Sequence, residues 1–362
     1  MKLAVYSTKP YDRHYLDAAL KAHQSTTKPS TNGLILNLNP DIEIVYHEFA
    51  LNEGSVSLIT DNADAVCVFV NDTLSAPVID ALADKGVKAI LLRCAGFNNV
   101  DLDSARGHGI MVANVPSYSP EAVAEFAVAL IQTLNRNTHR AYNRVREGNF
   151  ALNGLLGRTL HGKTVGVLGV GKIGLATARI MKGFGCNVLA YDPFPTPAFE
   201  EYGEYRDLDG LLAECDVISL HCPLMEKTRH IINEETIAKM KKGVLLINTS
   251  RGGLVDTGAV IQGLKSKQIG GVALDVYEGE GSLFYDDHSG DIIDDDILMR
   301  LMTFPNVLVS GHQAFFTEEA LLEIATSSVR NLHEWVVRGT CHNSLTKDSP
   351  TESGLTSPVR AI

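Results

Sequence analysis

The chain has 362 residues and 45% hydrophobic content, enough for two globular domains that each bury a core. Its 32 Lys and Arg against 43 Asp and Glu give a net charge of −11. That excludes nucleic acid and anionic membrane as partners and leaves any anionic small molecule to a few local cations.

The six cysteines (Cys67, Cys94, Cys186, Cys215, Cys222 and Cys341) form no CxxC pair and sit mostly in apolar runs. Buried free thiols in a reducing compartment are expected, with no zinc or other metal site and no disulfide. No apolar run reaches the length of a membrane span. Met1 to Tyr6 reads as a first strand rather than a signal-peptide core, so a cytoplasmic protein is expected.

The first third alternates strand-like and helix-like segments. Strands are predicted at Lys2 to Tyr6, Glu43 to Tyr46, Ala65 to Val70, Ala89 to Arg93 and Ile110 to Ala113. Helices are predicted at Arg13 to His23, Ala76 to Lys85 and Leu102 to Gly107. The alternation predicts a parallel sheet covered by helices. Gln24 to Asp41 is polar and breaker-rich, which predicts a long surface loop. Glu121 to Leu134 is apolar on more than one face and predicts a buried helix. His139 to Asn149 predicts a basic helix followed by a loop.

From Thr164 the alternation resumes, with strands predicted at Val165, Val188, Val217, Val244, Gly271 and Val307. Glu318 to Val337 carries Leu321, Ile324, Ala325, Val329, Leu332 and Val336 on one helical face, with Gly339 as its stop. This last helix is expected to return to the N-terminal domain. The fold class is then α/β: two Rossmann- or flavodoxin-like doubly wound parallel-sheet domains, one inserted within the other and leaving a cleft. The expected division is 1–117 with 312–341 for the substrate domain and 118–311 for the dinucleotide domain. Residues 342–362 are Ser/Thr/Pro-rich and are expected to be a disordered tail.

The chemistry starts at the mid-chain run Thr164 to Gly174, a strand leading into Gly169-Val170-Gly171-Lys172-Ile173-Gly174 and then a helix expected from Leu175. A second strand, Asn187 to Tyr191, ends in Asp192. Strand, turn, helix, strand and terminal acid fall in the order of a dinucleotide-binding unit, with phosphates at the helix N-terminus and Asp192 on the adenosine ribose. Pro193 and Phe194 follow Asp192 where a 2′-phosphate would need a cation, so NAD is predicted over NADP.

Three further motifs follow successive strands: Asn248-Thr249-Ser250-Arg251-Gly252-Gly253, Asp275-Val276-Tyr277-Glu278-Gly279-Glu280 and Ser310-Gly311-His312-Gln313-Ala314-Phe315-Phe316. Arg suits a carboxylate because its planar fork bonds both oxygens, although Arg251 alone could equally be a surface ion-pair residue. His312 alone would more often be structural, and Glu278 reads as a solvated loop residue. In combination they fit hydride transfer to a carbonyl. Such a reaction needs a proton donor near neutral pH, with a carboxylate on the other ring nitrogen, for which Glu280 is the candidate.

With His221-Cys222-Pro223-Leu224 and Leu92 to Asp101, these motifs make the chain resemble the D-2-hydroxyacid dehydrogenase family, and within it most the fermentative D-lactate dehydrogenases. Met1 to Pro10, Arg93 to Asp103 and Gly311 to Phe315 carry the subgroup resemblance. It spans roughly residues 1–341 and departs in the Gln24–Asp41 loop and the tail.

The resemblance implies the following roles. Arg251, Glu280 and His312 are the catalytic set. Gly169, Gly171, Lys172, Ile173, Gly174, Asp192, Cys222, Pro223, Thr228, Thr249, Ser250 and Asp275 contact NAD, with Asp275 near the nicotinamide end. Ala95 and Gly96 offer backbone N–H groups to the substrate carboxylate, Tyr118 closes over it, and Arg251 also holds it. Apart from the resemblance, Phe97, Phe315 and Phe316 are read either as narrowing the pocket toward a methyl side chain or as plain core. Arg93 is expected to be an intradomain ion pair.

The implied reaction is reduction of pyruvate by NADH in a homodimer or homotetramer. The alternatives are another 2-hydroxy acid (2-hydroxyisocaproate, glyoxylate or hydroxypyruvate), an NAD-sensing scaffold like the C-terminal-binding corepressors, and, more weakly, a formate dehydrogenase. One methylene of pocket is worth only about 1–3 kcal/mol, so side-chain preference is not legible from motifs.

Overall fold

A computed structural model describes residues 1–26, 42–59, 62–281 and 283–346. They divide into two compact units: one runs from Met1 to Ser119 and resumes at Thr317, and the other is Pro120–Phe316.

The first unit is built from β1 (Lys2–Val5), α1 (Pro10–Thr26), β2 (Glu43–Tyr46), β3 (Ala65–Val68), α2 (Ala76–Asp84), β4 (Ala89–Leu92), α3 (Leu102–Gly107) and β5 (Met111–Ala113). The strands form a parallel sheet of order β2-β1-β3-β4-β5. This is the flavodoxin-like order. β3 and β4 are apolar at every position and buried on both faces, as a helix-covered parallel sheet requires.

The second unit continues with α4 (Pro120–Arg136), α5 (Thr138–Arg146), β6 (Thr164–Leu168), α6 (Lys172–Gly183), β7 (Asn187–Tyr191), α7 (Pro197–Glu200), β8 (Glu204–Tyr205), α8 (Leu208–Glu214), β9 (Val217–Leu220), α9 (Glu234–Lys239), β10 (Val244–Asn248), α10 (Thr257–Lys265), β11 (Ile269–Leu274), α11 (Asp296–Met302) and β12 (Val307–Val309). Its parallel sheet has the order β12-β11-β10-β9-β6-β7-β8. This is the dinucleotide-fold order 3-2-1-4-5-6 with one strand added beyond the sixth. The six predicted strands are all present. The one strand not predicted, β8, has only two residues and no apolar run to announce it.

α6 begins at Lys172, three residues earlier than expected, because Gly171 is its N-cap. α4 is buried along most of its length and packs on α6, β10 and β11. α12 (Glu318–Arg338) belongs to the first unit. It packs on α1 and β4, is capped by the Thr317 hydroxyl, and stops at Gly339 in the left-handed conformation (φ 72°).

The expected disordered tail fails for its first five residues. Ser344 bridges Ala113 antiparallel, the Leu345 N–H donates to the Val112 carbonyl at 2.7 Å, and the Val112 N–H donates to Thr346 Oγ1 at 3.1 Å. An open sheet edge offers unpaired backbone groups, and this segment covers the β5 edge. The rest of the tail and residues 27–41 of the predicted loop lie outside the described residues. Gln24 is still in α1.

Two buried polar groups organise the strand ends of the first unit. Arg93 is an ion pair there: Nε lies 3.0 Å from Asp12 Oδ1 and Nη2 donates to the Ser7 carbonyl at 2.7 Å. Asp72 is fully buried. Its carboxylate accepts from Ser7 Oγ (2.8 Å), the Leu51 N–H (2.7 Å) and the Phe69 N–H (2.5 Å), tying three segments to one residue. Asp72→Ala would strand two buried N–H donors at about 1–3 kcal/mol each. A fall of roughly that size in the urea unfolding free energy is expected, with a smaller fall for Asp72→Asn; an unchanged midpoint would remove this role.

Candidate active site

The site is built along the carboxyl edge of the seven-stranded sheet. After β6 the chain turns at Gly169 (φ 93°), where a Cβ would lie 2.6 Å from the Cys222 nitrogen. Lys172, Ile173 and Gly174 form the first turn of α6, which has no side-chain cap. Its first N–H groups and the positive end of the helix dipole are therefore left for an anion. Asp192 follows β7. Its Oδ2 accepts from the Val170 N–H at 2.7 Å and its Oδ1 from the Phe194 N–H at 2.8 Å. The acid thus fixes the glycine turn itself, and its remaining lone pairs can still accept ribose hydroxyls.

After β9 come His221, Cys222 and Pro223. The His221 N–H donates to the Leu168 carbonyl at 2.7 Å, and Ser250 Oγ donates to the Cys222 carbonyl at 2.7 Å, linking three strand ends. Thr228 closes the next turn, donating to the Pro223 carbonyl and accepting from the Met225 N–H. Burial pushes the Cys222 thiol up to about 12, so it is no nucleophile. His221 is fully buried. Nε2 bonds Ser219 Oγ at 2.8 Å and Nδ1 has no partner; burial lowers the imidazole from 6.5 to about 4. Thr249 Oγ1, just past β10, is also buried without a partner. Two orphaned polar atoms beside an uncapped helix and a carboxylate fit a dinucleotide with many donors and acceptors.

Past β10, Asn248 shapes the loop that presents Arg251. Its Oδ1 accepts from the Ser250 N–H at 3.0 Å and its Nδ2 donates to the Arg251 carbonyl at 2.8 Å. The half-buried Arg251 guanidinium donates to the Ser250 carbonyl through Nη1. Past β11, Asp275 is fully buried. It accepts from Ser310 Oγ (2.6 Å) and the backbone N–H groups of Gln313 (2.9 Å) and Ala314 (2.8 Å). These donors flank His312, which sits in the left-handed region (φ 54°). These three bonds hold the chain's own 310–314 turn, which carries His312, around the end of β11.

His312 Nδ1 lies 3.0 Å from Glu280 Oε1, and Glu280 Oε2 accepts from the Tyr277 N–H at 2.8 Å. Both are partly buried, with side-chain exposures of 18% and 24%. A carboxylate on Nδ1 sets the tautomer and orients the ring. Nε2 makes no hydrogen bond within the described residues and is the atom left for proton exchange. Phe315 is buried and meets Phe316 edge-on.

Glu278 is exposed, as expected of a loop residue, and its carboxylate also takes Arg229 Nη2 at 2.6 Å and His230 Nε2 at 3.0 and 3.1 Å. The His230 N–H donates to the Gly253 carbonyl, and Gly252 lies against the Tyr277–Glu278 peptide with no room for a Cβ. The loops carrying Arg251 and Glu280 are thereby fastened together. No local pattern marks this, because the partners are 48 or 49 residues apart.

Ala95, Gly96 and Tyr118 lie in the first unit, the first two in the half-buried loop after β4 and Tyr118 in the bend before α4. Among the described residues, no group of His, Cys, Asp and Glu is arranged to hold a metal, and no helix is long and apolar enough to cross a membrane.

Residues 128–314 match the family model described as D-isomer specific 2-hydroxyacid dehydrogenase, NAD binding domain. The chain belongs to the D-isomer-specific 2-hydroxyacid dehydrogenase family. It is 63% identical to 2-hydroxyacid dehydrogenase A of Aspergillus oryzae, over 99% of this chain and all of that one. It is also 63% identical to D-lactate dehydrogenase kk1H of Curvularia clavata, over 92% of each. The apo structure of D-lactate dehydrogenase from Escherichia coli superposes with a TM-score of 0.83 at 46% identity, covering 95% of this chain and 100% of that one. The protein is therefore an NAD-dependent oxidoreductase, and the second unit carries its NAD-binding domain.

The buried His221 makes stability depend on pH. Its folded value, about 4, lies below the 6.5 of an exposed imidazole. It therefore stabilises the fold fully above pH 6.5 and progressively less as pH falls toward 4, by up to about 3 kcal/mol. Urea unfolding of the apoprotein at pH 7 and pH 4.5 should show a larger loss for the wild type than for His221→Gln; equal losses would refute the assignment.

Proposed function

We propose that the chain is a D-lactate dehydrogenase that reduces pyruvate reversibly. The observation that carries this is the Glu280–His312 pair: an imidazole held by a carboxylate on Nδ1, with Nε2 unengaged, on the strand edge of an NAD-binding sheet that also presents Arg251. When bound, NADH supplies the hydride that reduces C2 of the keto acid. His312 gives its Nε2 proton to the carbonyl oxygen, and in the reverse direction takes it from the hydroxyl. Arg251 binds the carboxylate through its fork and steadies charge developing on the carbonyl oxygen. Glu280 orients the ring through Nδ1. Ala95 and Gly96 contribute backbone N–H groups to the carboxylate, and Tyr118 and Phe315 bound it. Gly169, Gly171, Lys172, Ile173, Gly174, Asp192, Cys222, Pro223, Thr228, Thr249 and Ser250 hold NAD, and Asp192 disfavours a 2′-phosphate.

NADH oxidation with pyruvate, followed by chiral analysis of the product, is expected to give D-lactate. His312→Ala and Arg251→Ala are each expected to lose at least about 10²-fold in kcat/KM, and Glu280→Gln somewhat less. Near-wild-type turnover in either Ala variant would sink the mechanism. Competition among pyruvate, 2-ketoisocaproate and hydroxypyruvate identifies the preferred acid.

We further infer a cytoplasmic homodimer or homotetramer. Six buried cysteines, none of them in a disulfide, support a reducing compartment. α5 buries no residue and exposes Tyr142 (62%), and the segment after it exposes Phe150 (74%), Leu152 (81%) and Leu156 (94%). Such a run supports burial against a second copy through the cofactor domain. Sedimentation of the wild type is expected to give a dimer or larger and of Phe150→Glu/Leu156→Glu a monomer; a monomeric wild type would exclude it.

A further inference from the structure

The loop after β4 is held from behind in a way that aims its N–H groups. In a trans peptide the C=O of one residue and the N–H of the next point in opposite directions within one plane, and the chain has no cis peptide among the described residues. Fixing a carbonyl therefore fixes the direction of the following N–H. The Cys94 carbonyl accepts from the Val115 N–H at 3.0 Å, which sets the Ala95 N–H. The Ala95 carbonyl accepts from Asn114 Nδ2 at 2.7 Å, which sets the Gly96 N–H. The far end of the loop is anchored separately, by Asn99 Nδ2 on the Phe69 and Asp72 carbonyls at 2.9 and 2.8 Å.

Asn114 is itself placed by the last helix. Asn331 of α12 donates through Nδ2 to the Asn114 carbonyl at 2.9 Å, and its Oδ1 accepts from Asn343 Nδ2 at 2.9 Å. Asn114 and Asn331 are 3% and 1% exposed. Buried carboxamides are costly unless bonded, so each orientation is strongly enforced. Asn343 lies in the segment that runs along β5.

We propose that Asn114 is a positioning residue that aims the Gly96 N–H at the substrate carboxylate, and that Asn331 and Asn343 hold it, making the chain's C-terminal segment a working part of substrate binding. This rests on the reading that Ala95 and Gly96 bind that carboxylate. It does not depend on which 2-keto acid is preferred, because all share the carboxylate.

The test is steady-state kinetics of the full chain with NADH and pyruvate, with NADH affinity measured separately by fluorescence titration. Asn114→Ala is expected to raise KM for pyruvate about tenfold, with kcat within about threefold and NADH affinity unchanged. Asn343→Ala, at the rim, is expected to raise it about two- to threefold. General loosening of the fold would instead lower the active fraction and kcat without moving KM. An unchanged pyruvate KM in Asn114→Ala, or equal losses for pyruvate and NADH, overturns the proposal. If Asn114→Ala does not fold, Asn343→Ala decides alone, and an unchanged KM there overturns the C-terminal role. A wild type that reduces no pyruvate but does reduce another 2-keto acid overturns only the substrate assignment, and the same KM comparison is then made with that acid.

Discussion

One buried carboxylate fixes the turn on which the proposed proton donor sits. Asp275 is fully enclosed and accepts from Ser310 Oγ and two backbone N–H groups, drawing residues 310 to 314 around the end of β11. The conformation it enforces is unfavourable, since His312 has φ 54°. A non-glycine residue there costs about 1–3 kcal/mol. Hydrogen bonds to a charged group are each worth about 1.5–3 kcal/mol net. Three of them outweigh the strain, so the turn holds. Glu280 then reaches His312 Nδ1 from the same strand end, and both are set by the position of one β-strand.

The same device works in the first unit. Asp72 gathers Ser7, Leu51 and Phe69, and Ser7 also lies in the left-handed region (φ 48°). In both units an acceptor-only side chain past a strand end gathers backbone donors that the ladder has left unpaired. Parallel sheets finish all their strands at one edge, so unpaired groups collect there. That edge is where ligands bind in such sheets. The groups that stabilise the edge and the groups that act on a ligand therefore come from the same few loops.

Acids that look alike in the Asp275-Val276-Tyr277-Glu278-Gly279-Glu280 run are put to three different uses. Asp275 holds the histidine turn, Glu280 faces the imidazole, and Glu278 grips Arg229 and His230. Composition could not separate them. The family resemblance singled out Glu280, the second acid after Tyr277, as the partner of His312, and its Oε1 lies 3.0 Å from Nδ1. Glu278 is exposed, as its loop position suggested, but its partners Arg229 and His230 lie 49 and 48 residues away and nothing near it in sequence announces them.

What the chain alone determined is what local periodicity and motif order encode. Apolar runs at strand spacing and the glycine turn from Gly169 to Gly174 followed by a strand ending at Asp192 were sufficient for the α/β class and for NAD as cofactor. Those features depend on residues within a few positions of each other or on the repeat of strand and helix. The tertiary structure decided the rest. β8 exists because β7 offers it an edge, not because two residues favour a strand. Residues 342 to 346 are ordered because β5 has an open edge more than 220 residues earlier. Asn114 meets Asn331 across 217 residues of chain. Contacts of that range join one side chain to another segment's backbone, and a backbone group carries no residue-specific signal, so only the folded chain brings them into view.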